Sequence, residues 1–183
     1  EAVRTIRDTC DRMHRLIVST LDEIRPAGVA PPPGPVNLHA LVLSGISAIL
    51  PASRERAVTV FYNGRVDRAE FPTLAITVRG HVERLGTIVD NLLSNAVKYA
   101  RSEIHVSLTS GDGRVVLQVA DDGPGVAPDQ MARIFEHGVQ APGAAAGHGI
   151  GLASALDAVR RHNGELELLP SGKGAIFQVT LPA

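Results

Sequence analysis

The chain has 183 residues, 44% of them hydrophobic and 20% charged, a balance typical of a soluble globular chain with one ordinary domain and an appendage. Its formal net charge of -1 leaves no basic excess to neutralise phosphates and argues against a general nucleic-acid surface. The single cysteine, Cys10, excludes an internal disulfide framework and a cysteine-rich zinc site, and makes a reducing compartment the default. No stretch is apolar for long enough to cross a bilayer: Leu38 to Leu50 is too short and stops at Pro51. The chain starts at Glu1 rather than methionine and reads as a piece of a longer protein.

Residues 1–25 carry a seven-residue pattern. Val3, Ile6, Cys10, Met13, Ile17, Thr20 and Ile24 alternate spacings of three and four, the seam of a helix that packs along another helix in a bundle or coiled coil, or back onto its own domain. Pro26, Pro31, Pro32, Pro33 and Pro35 then favour extended backbone, so 26–36 reads as a linker. Asn37 suits an N-cap for a helix through Leu41, Val42, Ile46 and Ile49 to Pro51. Strand-like runs follow at Val58–Tyr62 and Leu74–Val78, then a helix from about His81 to Ala100. Strands Glu103–Thr109 and Arg114–Ala120 are joined through Gly111-Asp112-Gly113, a good hairpin turn. The Gly- and Pro-rich stretch 124–149 holds only a short helical piece near Asp129–Phe135. A helix from about Ile150 to Arg161 stops at Asn163-Gly164, and Glu165–Leu169 with Ala175–Leu181 closes the chain as a hairpin. This order predicts an α+β domain over 37–183, helices covering one face of a mainly antiparallel sheet.

Three groups of residues carry chemistry. On helix 81–100, Leu85, Ile88, Val89, Leu92 and Ala96 share one face, and Asn91, Asn95 and Lys98 share another. Asparagine costs a helix roughly 0.5 kcal/mol or more against alanine, and a merely solvated face would more often use Glu, Lys or Arg. Two asparagines one turn apart with a lysine suit a hard cation and phosphates; the alternative is a solvated face. Next, Asp121-Asp122-Gly123-Pro124-Gly125 follows an apolar strand. There a carboxylate could accept from an exocyclic amine such as adenine's, the alternative being an ordinary polar turn. Last, Gly147-His148-Gly149-Ile150-Gly151-Leu152 opens a helix whose free N–H groups and positive dipole end suit an anion. No strand immediately precedes it, so a dinucleotide-binding fingerprint is rejected.

Taken in order, Asn91-Leu92-Leu93-Ser94-Asn95-Ala96-Val97-Lys98-Tyr99, Asp121-Asp122-Gly123-Pro124-Gly125, Ile134-Phe135-Glu136 and Gly147-His148-Gly149-Ile150-Gly151-Leu152 resemble the four ATP-binding boxes of sensor histidine kinases. These belong to the GHKL superfamily with its Bergerat-type two-layer α/β sandwich. The resemblance spans about Leu38 to Pro182, and four boxes in register are highly specific. Residues 1–25 also resemble the end of a kinase dimerisation helix, with Asp11 to Ile17 and Leu21-Asp22 ahead of the linker.

The resemblance implies a catalytic ATP-binding domain that donates the γ-phosphoryl group to a histidine on an upstream dimerisation domain of the same protein, for relay to a response regulator. It implies ATP and Mg as cofactors and a homodimer in the full-length protein. The location would be cytoplasmic, or the cytoplasmic part of a membrane-anchored sensor. Asn95 would hold Mg with the phosphates, and Asn91 would carry a catalytic role by supporting or orienting the phosphate region. Lys98 and Tyr99 would flank the nucleotide. Asp121 would read the adenine amine while Gly123 and Gly125 make room for the base. Gly147, Gly149 and Gly151 would form a lid hinge that contacts phosphates, with His148, Ile150 and Leu152 in the same site and 137–147 as the lid.

Departures from the family pattern are Gly138 where a second aromatic is common, a lid without Arg or Lys, and Ala175 where a threonine is common. They keep a second reading, a degenerate ATP-binding or docking domain. A phosphoacceptor histidine is normally followed by an acidic residue, and none of the seven (His14, His39, His81, His105, His137, His148, His162) is. The acceptor is therefore expected upstream of Glu1. Related ATPases place a water-activating glutamate where Asn91 stands, and asparagine is no general base at neutral pH. That favours transfer over hydrolysis.

Overall fold

The computed structural model describes residues 32–66, 71, 75–131, 133–139 and 149–183. The expected stalk helix, most of the linker, and Gly147 and His148 of the last box lie outside the described residues. Alternating apolar residues form a five-stranded sheet, in the order β2 (Thr59–Tyr62), β4 (Glu103–Gly111), β5 (Arg114–Asp121), β7 (Ala175–Pro182) and β6 (Glu165–Leu169). Only β2 and β4 run parallel; the other neighbours are antiparallel. One face of each strand is buried, with Ile104, Val106, Leu108, Val115, Leu117, Val119, Phe177 and Val179 pointing into the core, as a period of two requires.

Three helices are described over that face: α1 (Leu38–Glu55), α2 (Val82–Tyr99) and α3 (Gly151–Arg161). Helix α2 packs against both α1 and α3, and its apolar stripe Leu85, Ile88, Val89, Leu92 and Ala96 is buried. The fold is the expected two-layer α+β sandwich. Asn37 caps α1 as expected, its Oδ1 accepting the Ala40 N–H at 3.0 Å. The hairpin between β4 and β5 turns on Asp112 and Gly113, with φ of 51° and 71°, the left-handed pair that a tight two-residue turn demands.

Three local expectations need correction. Residues 34–36, read as linker, belong to β1 (Gly34–Asn37), which pairs antiparallel with β3 (Thr77–Gly80), and the compact unit begins at Pro33. Pro35 is tolerated because a two-stranded sheet is all edge. Helix α1 does not stop at Pro51 but runs through it to Glu55; the residue is exposed, and the helix continues without its N–H bond to the preceding turn. Where a helical piece is expected near 129–135, the described residues form turns, closed by Gln130 N–H to Ala127 O and Ile134 N–H to Gln130 O. The piece is too short to repay helix nucleation, and is pinned instead by Phe135, edge-on to Phe177 at 6.5 Å.

Candidate functional site

Helix α2 is the spine of the site. Asn91 is buried at 8% exposure, while Asn95, Lys98 and Tyr99 are half-buried. The Lys98 ammonium lies 5.0 Å from the centroid of the Tyr99 ring, within cation–π range. At the start of α3, a Cβ on Gly151 would stand 2.9 Å from Asn91 Oδ1. Glycine there lets the end of one helix meet the amide of the other. Ile150, in the N-cap position, has no side chain able to cap, so the first N–H groups of α3 keep their affinity for an anion beside that amide. Gly149 takes φ +65°, and its carbonyl accepts the Gly138 N–H at 3.1 Å. Leu152 is half-buried and packs on the core.

The turn after β5 sits at the far end of α2. A Cβ on Gly123 would meet the Tyr99 carbonyl at 2.5 Å and Asp121 Oδ1 at 2.6 Å. The room at Gly123 is thus taken by the protein's own backbone, and that at Gly125 (φ +75°) by the Gly174 carbonyl, 2.9 Å from an added Cβ. From Asn91 to Tyr99 the helix rises about 12 Å, so the amide end and the carboxylate end are separated along one rigid element.

The two carboxylates of the turn differ. Asp121 Oδ1 accepts the Gly123 N–H at 2.9 Å. Burial pushes the Asp121 carboxyl up; the Gly123 and Ala175 N–H groups work against this, and the neighbouring Asp122 charge adds to it. Asp122 instead is saturated. Its Oδ1 accepts the N–H groups of Arg101, Ser102 and Glu103 at 2.8, 2.9 and 3.1 Å, and its Oδ2 the Ser102 hydroxyl at 2.6 Å. Burial opposes its ionisation, but the Ser102 hydroxyl and the Ser102, Glu103 and Arg101 N–H groups outweigh that. They hold the carboxyl well below the usual carboxylate range. Asp122 therefore staples the link from α2 to β4 onto the turn.

Sequence reasoning missed this staple and Gly174, whose φ is +71° and whose missing Cβ makes way for the Asp121 carbonyl. The doubled aspartate was the one available signal for the first. A shallow cavity of about 310 Å³ opens beside the turn, between Arg101, Val126, Met131, Leu168 and Lys173. It includes Gly123 and Gly125 but no residue of α2 or α3, so it is not the place where Asn91 and Gly151 meet.

Residues 80–183, more than half of the chain, match the family described as histidine kinase-, DNA gyrase B-, and HSP90-like ATPase. The chain belongs to this ATPase family. Within it, the resemblance is to sensor kinases. The chain is 41% identical over 101 residues to the sensor protein kinase CarS of Pseudomonas aeruginosa, covering 55% of this chain and 23% of CarS. It is 26% identical over 186 residues to the sensor histidine kinase ZraS of Salmonella typhimurium, covering 100% of this chain and 38% of ZraS. The chain thus spans well under half of these relatives. Full-length ShkA in complex with AMPPNP matches with a TM-score of 0.75 and 28% identity over 98% of this chain and 38% of ShkA. The mycobacterial sensor histidine kinase MprB shares the fold, with a TM-score of 0.69 at 24% identity over 82% of this chain and 97% of that one. Within the family the chain is an ATP-binding domain of the histidine kinase type.

Proposed function

We propose that this domain holds Mg-ATP between Asn91, Asn95 and the start of α3, and donates the γ-phosphoryl group to a histidine on a helical dimerisation stalk upstream, for relay to a response regulator. The observation that carries the reading is the contact of Gly151 with Asn91, which brings uncapped helix N–H groups and a buried amide to one point. Lys98 supplies positive charge from the same face of α2, and Asp121, at the Tyr99 end, accepts from the adenine amine. In the transfer the bond from the γ-phosphorus to its bridging oxygen breaks, a bond to imidazole nitrogen forms, and ADP leaves.

The residues fit Mg. Among the described residues, no group of three or more His, Cys, Asp or Glu could hold a metal by itself. Mg takes hard oxygen ligands and draws most of them from substrate phosphates and water, so one amide oxygen from the protein fits it. When bound, it would neutralise phosphate charge; Asn95 would hold it and Asn91 would orient the phosphate region. Asn91, unlike a glutamate, cannot activate water, which supports transfer over hydrolysis. The reading places the domain on the cytoplasmic side, in a homodimer joined through the stalk. Among the described residues no helix is long and apolar enough to cross a membrane.

The test mixes the domain with a histidine-bearing stalk and ATP labelled on the γ-phosphate. Label on the stalk histidine is expected. ATP binding without any transfer would overturn the kinase reading in favour of a docking role. Asn95→Ala is expected to abolish most of the magnesium dependence of ATP affinity.

A further inference from the structure

The far ends of α2 and α3 are joined by a histidine that none of the boxes includes. His162 follows the last residue of α3 and is 8% exposed. Its Nδ1 lies 2.7 Å from the Ala158 carbonyl, and the backbone N–H of His81, the N-cap of α2, reaches its Nε2 at 3.2 Å. A carbonyl can only accept and a backbone N–H can only donate, so the ring must carry its proton on Nδ1 and a lone pair on Nε2. The ring also fills the space that a Cβ on Gly80 would need, and meets the His81 ring edge-on at 6.3 Å. One neutral imidazole thus joins the end of β3, the start of α2 and the end of α3.

This junction mirrors the contact of Gly151 with Asn91. The two contacts lie about 15 Å apart along α2 and about 16 Å apart along α3, at 1.5 Å per residue, so α3 is pinned at both of its ends, to the start and the middle of α2. Between the pins, α3 buries Ala153, Ala155, Ala158 and Val159 and lays Leu152 and Leu156 against the core. A tilt of a few degrees about a loosened far end displaces the near end by about 1 Å, which is enough to spoil a positioned site.

We propose that His162 is a positioning residue of the nucleotide site, which holds Gly151 against Asn91 by tying the opposite ends of α3 and α2 together. This rests on the reading of Asn91 and Gly151 as nucleotide contacts. The test compares His162→Leu, which keeps bulk but accepts nothing, with His162→Gln, whose Oε1 can accept from His81. Without nucleotide, the backbone amide resonances of Asn91 and Gly151 should shift in the leucine variant while thermal unfolding stays cooperative. Mg-ATP affinity in that variant should fall about tenfold, or 1.4 kcal/mol, and the glutamine variant should recover most of both effects. In the wild type, long-range nitrogen–proton spectra should place the proton on Nδ1. A folded leucine variant with wild-type amide shifts and affinity overturns the proposal, as does a proton found on Nε2. If the leucine variant does not fold, the glutamine variant and the wild-type tautomer decide the matter. If the wild type binds no Mg-ATP, the nucleotide reading fails, while the Asn91 and Gly151 amide shifts still decide the role of His162.

Discussion

At the end of β5 the chain presents two carboxylates in succession, and the two sides of the strand use them differently. Asp122 receives four hydrogen bonds from residues 101–103 and is held ionised by them. Asp121, on the core side, is met by the N–H groups of Gly123 and Ala175 and is pushed towards its neutral form by burial, which outweighs them. A carboxylate saturated by its own chain contributes to folding and has little left for a ligand. One that is desolvated and receives fewer bonds costs the fold something and keeps acceptor capacity for a donor brought from outside. The same residue type in adjacent positions thus separates into a structural role and, under the function proposed above, a recognition role.

The largest expected effect lies on the structural side. Asp122→Ala leaves three backbone N–H groups and the Ser102 hydroxyl without their acceptor, and should cost about 3 kcal/mol of stability in denaturant unfolding. ATP affinity of the folded protein should hold; a parallel loss of both would show that the two sides are not separable. The sign with pH follows. The folded-state value of Asp122 is depressed, so its contribution is complete above the ordinary carboxylate range and is lost as pH falls through and below it. Asp122→Asn should flatten the acid limb of the stability curve.

On the recognition side, Asp121→Asn replaces an acceptor-only group with one that also donates. It should lower ATP affinity about 30-fold, or 2 kcal/mol, in calorimetry. Stability should stay level or rise, because a buried charge is relieved. Unchanged affinity would mean that the base binds elsewhere.

Much of this was legible in the sequence, and the limits are physical. Period-two and period-3.6 patterns gave the sheet and helices because burial of one face is what those patterns express. Residues 34–36 were missed because proline signals a break in every setting except an edge strand, and edges are decided by what lies opposite. At the site, residue types and order pointed to Asn91, Asn95, Asp121 and the glycines. Their partners did not show, because the contact of Gly151 with Asn91 and that of Gly123 with Tyr99 join segments far apart in the chain. The division of labour between Asp121 and Asp122 was equally hidden, since it depends on which N–H groups the turn happens to face.

A smaller effect is expected half-way along α2, where the start of α3 meets it. Gly151→Ala adds a Cβ that would stand 2.9 Å from Asn91 Oδ1, the tip of a side chain that can move aside. Alanine is the better helix former by up to about 1 kcal/mol, so stability should hold or rise. Displacing the amide should weaken Mg-ATP binding about fivefold, or 1 kcal/mol. Gain in stability with loss of affinity is the signature of a glycine kept for the site, and loss of both would assign it to packing instead.

The smallest effect concerns pH. Adenine recognition as read here needs Asp121 ionised, and burial raises its carboxyl above the ordinary value. Acidification should therefore weaken ATP binding through protonation of Asp121 at a pH above the ordinary carboxylate range of about 4. Protonation of the nucleotide contributes in the same direction, so the informative quantity is the difference between wild type and Asp121→Asn. Their affinities should converge as pH falls, because a protonated aspartic acid, like the amide, offers a mixed group in place of a pure acceptor. Parallel curves would mean that the Asp121 charge does not contribute to binding, and that burial of the carboxyl serves the packing of the turn alone.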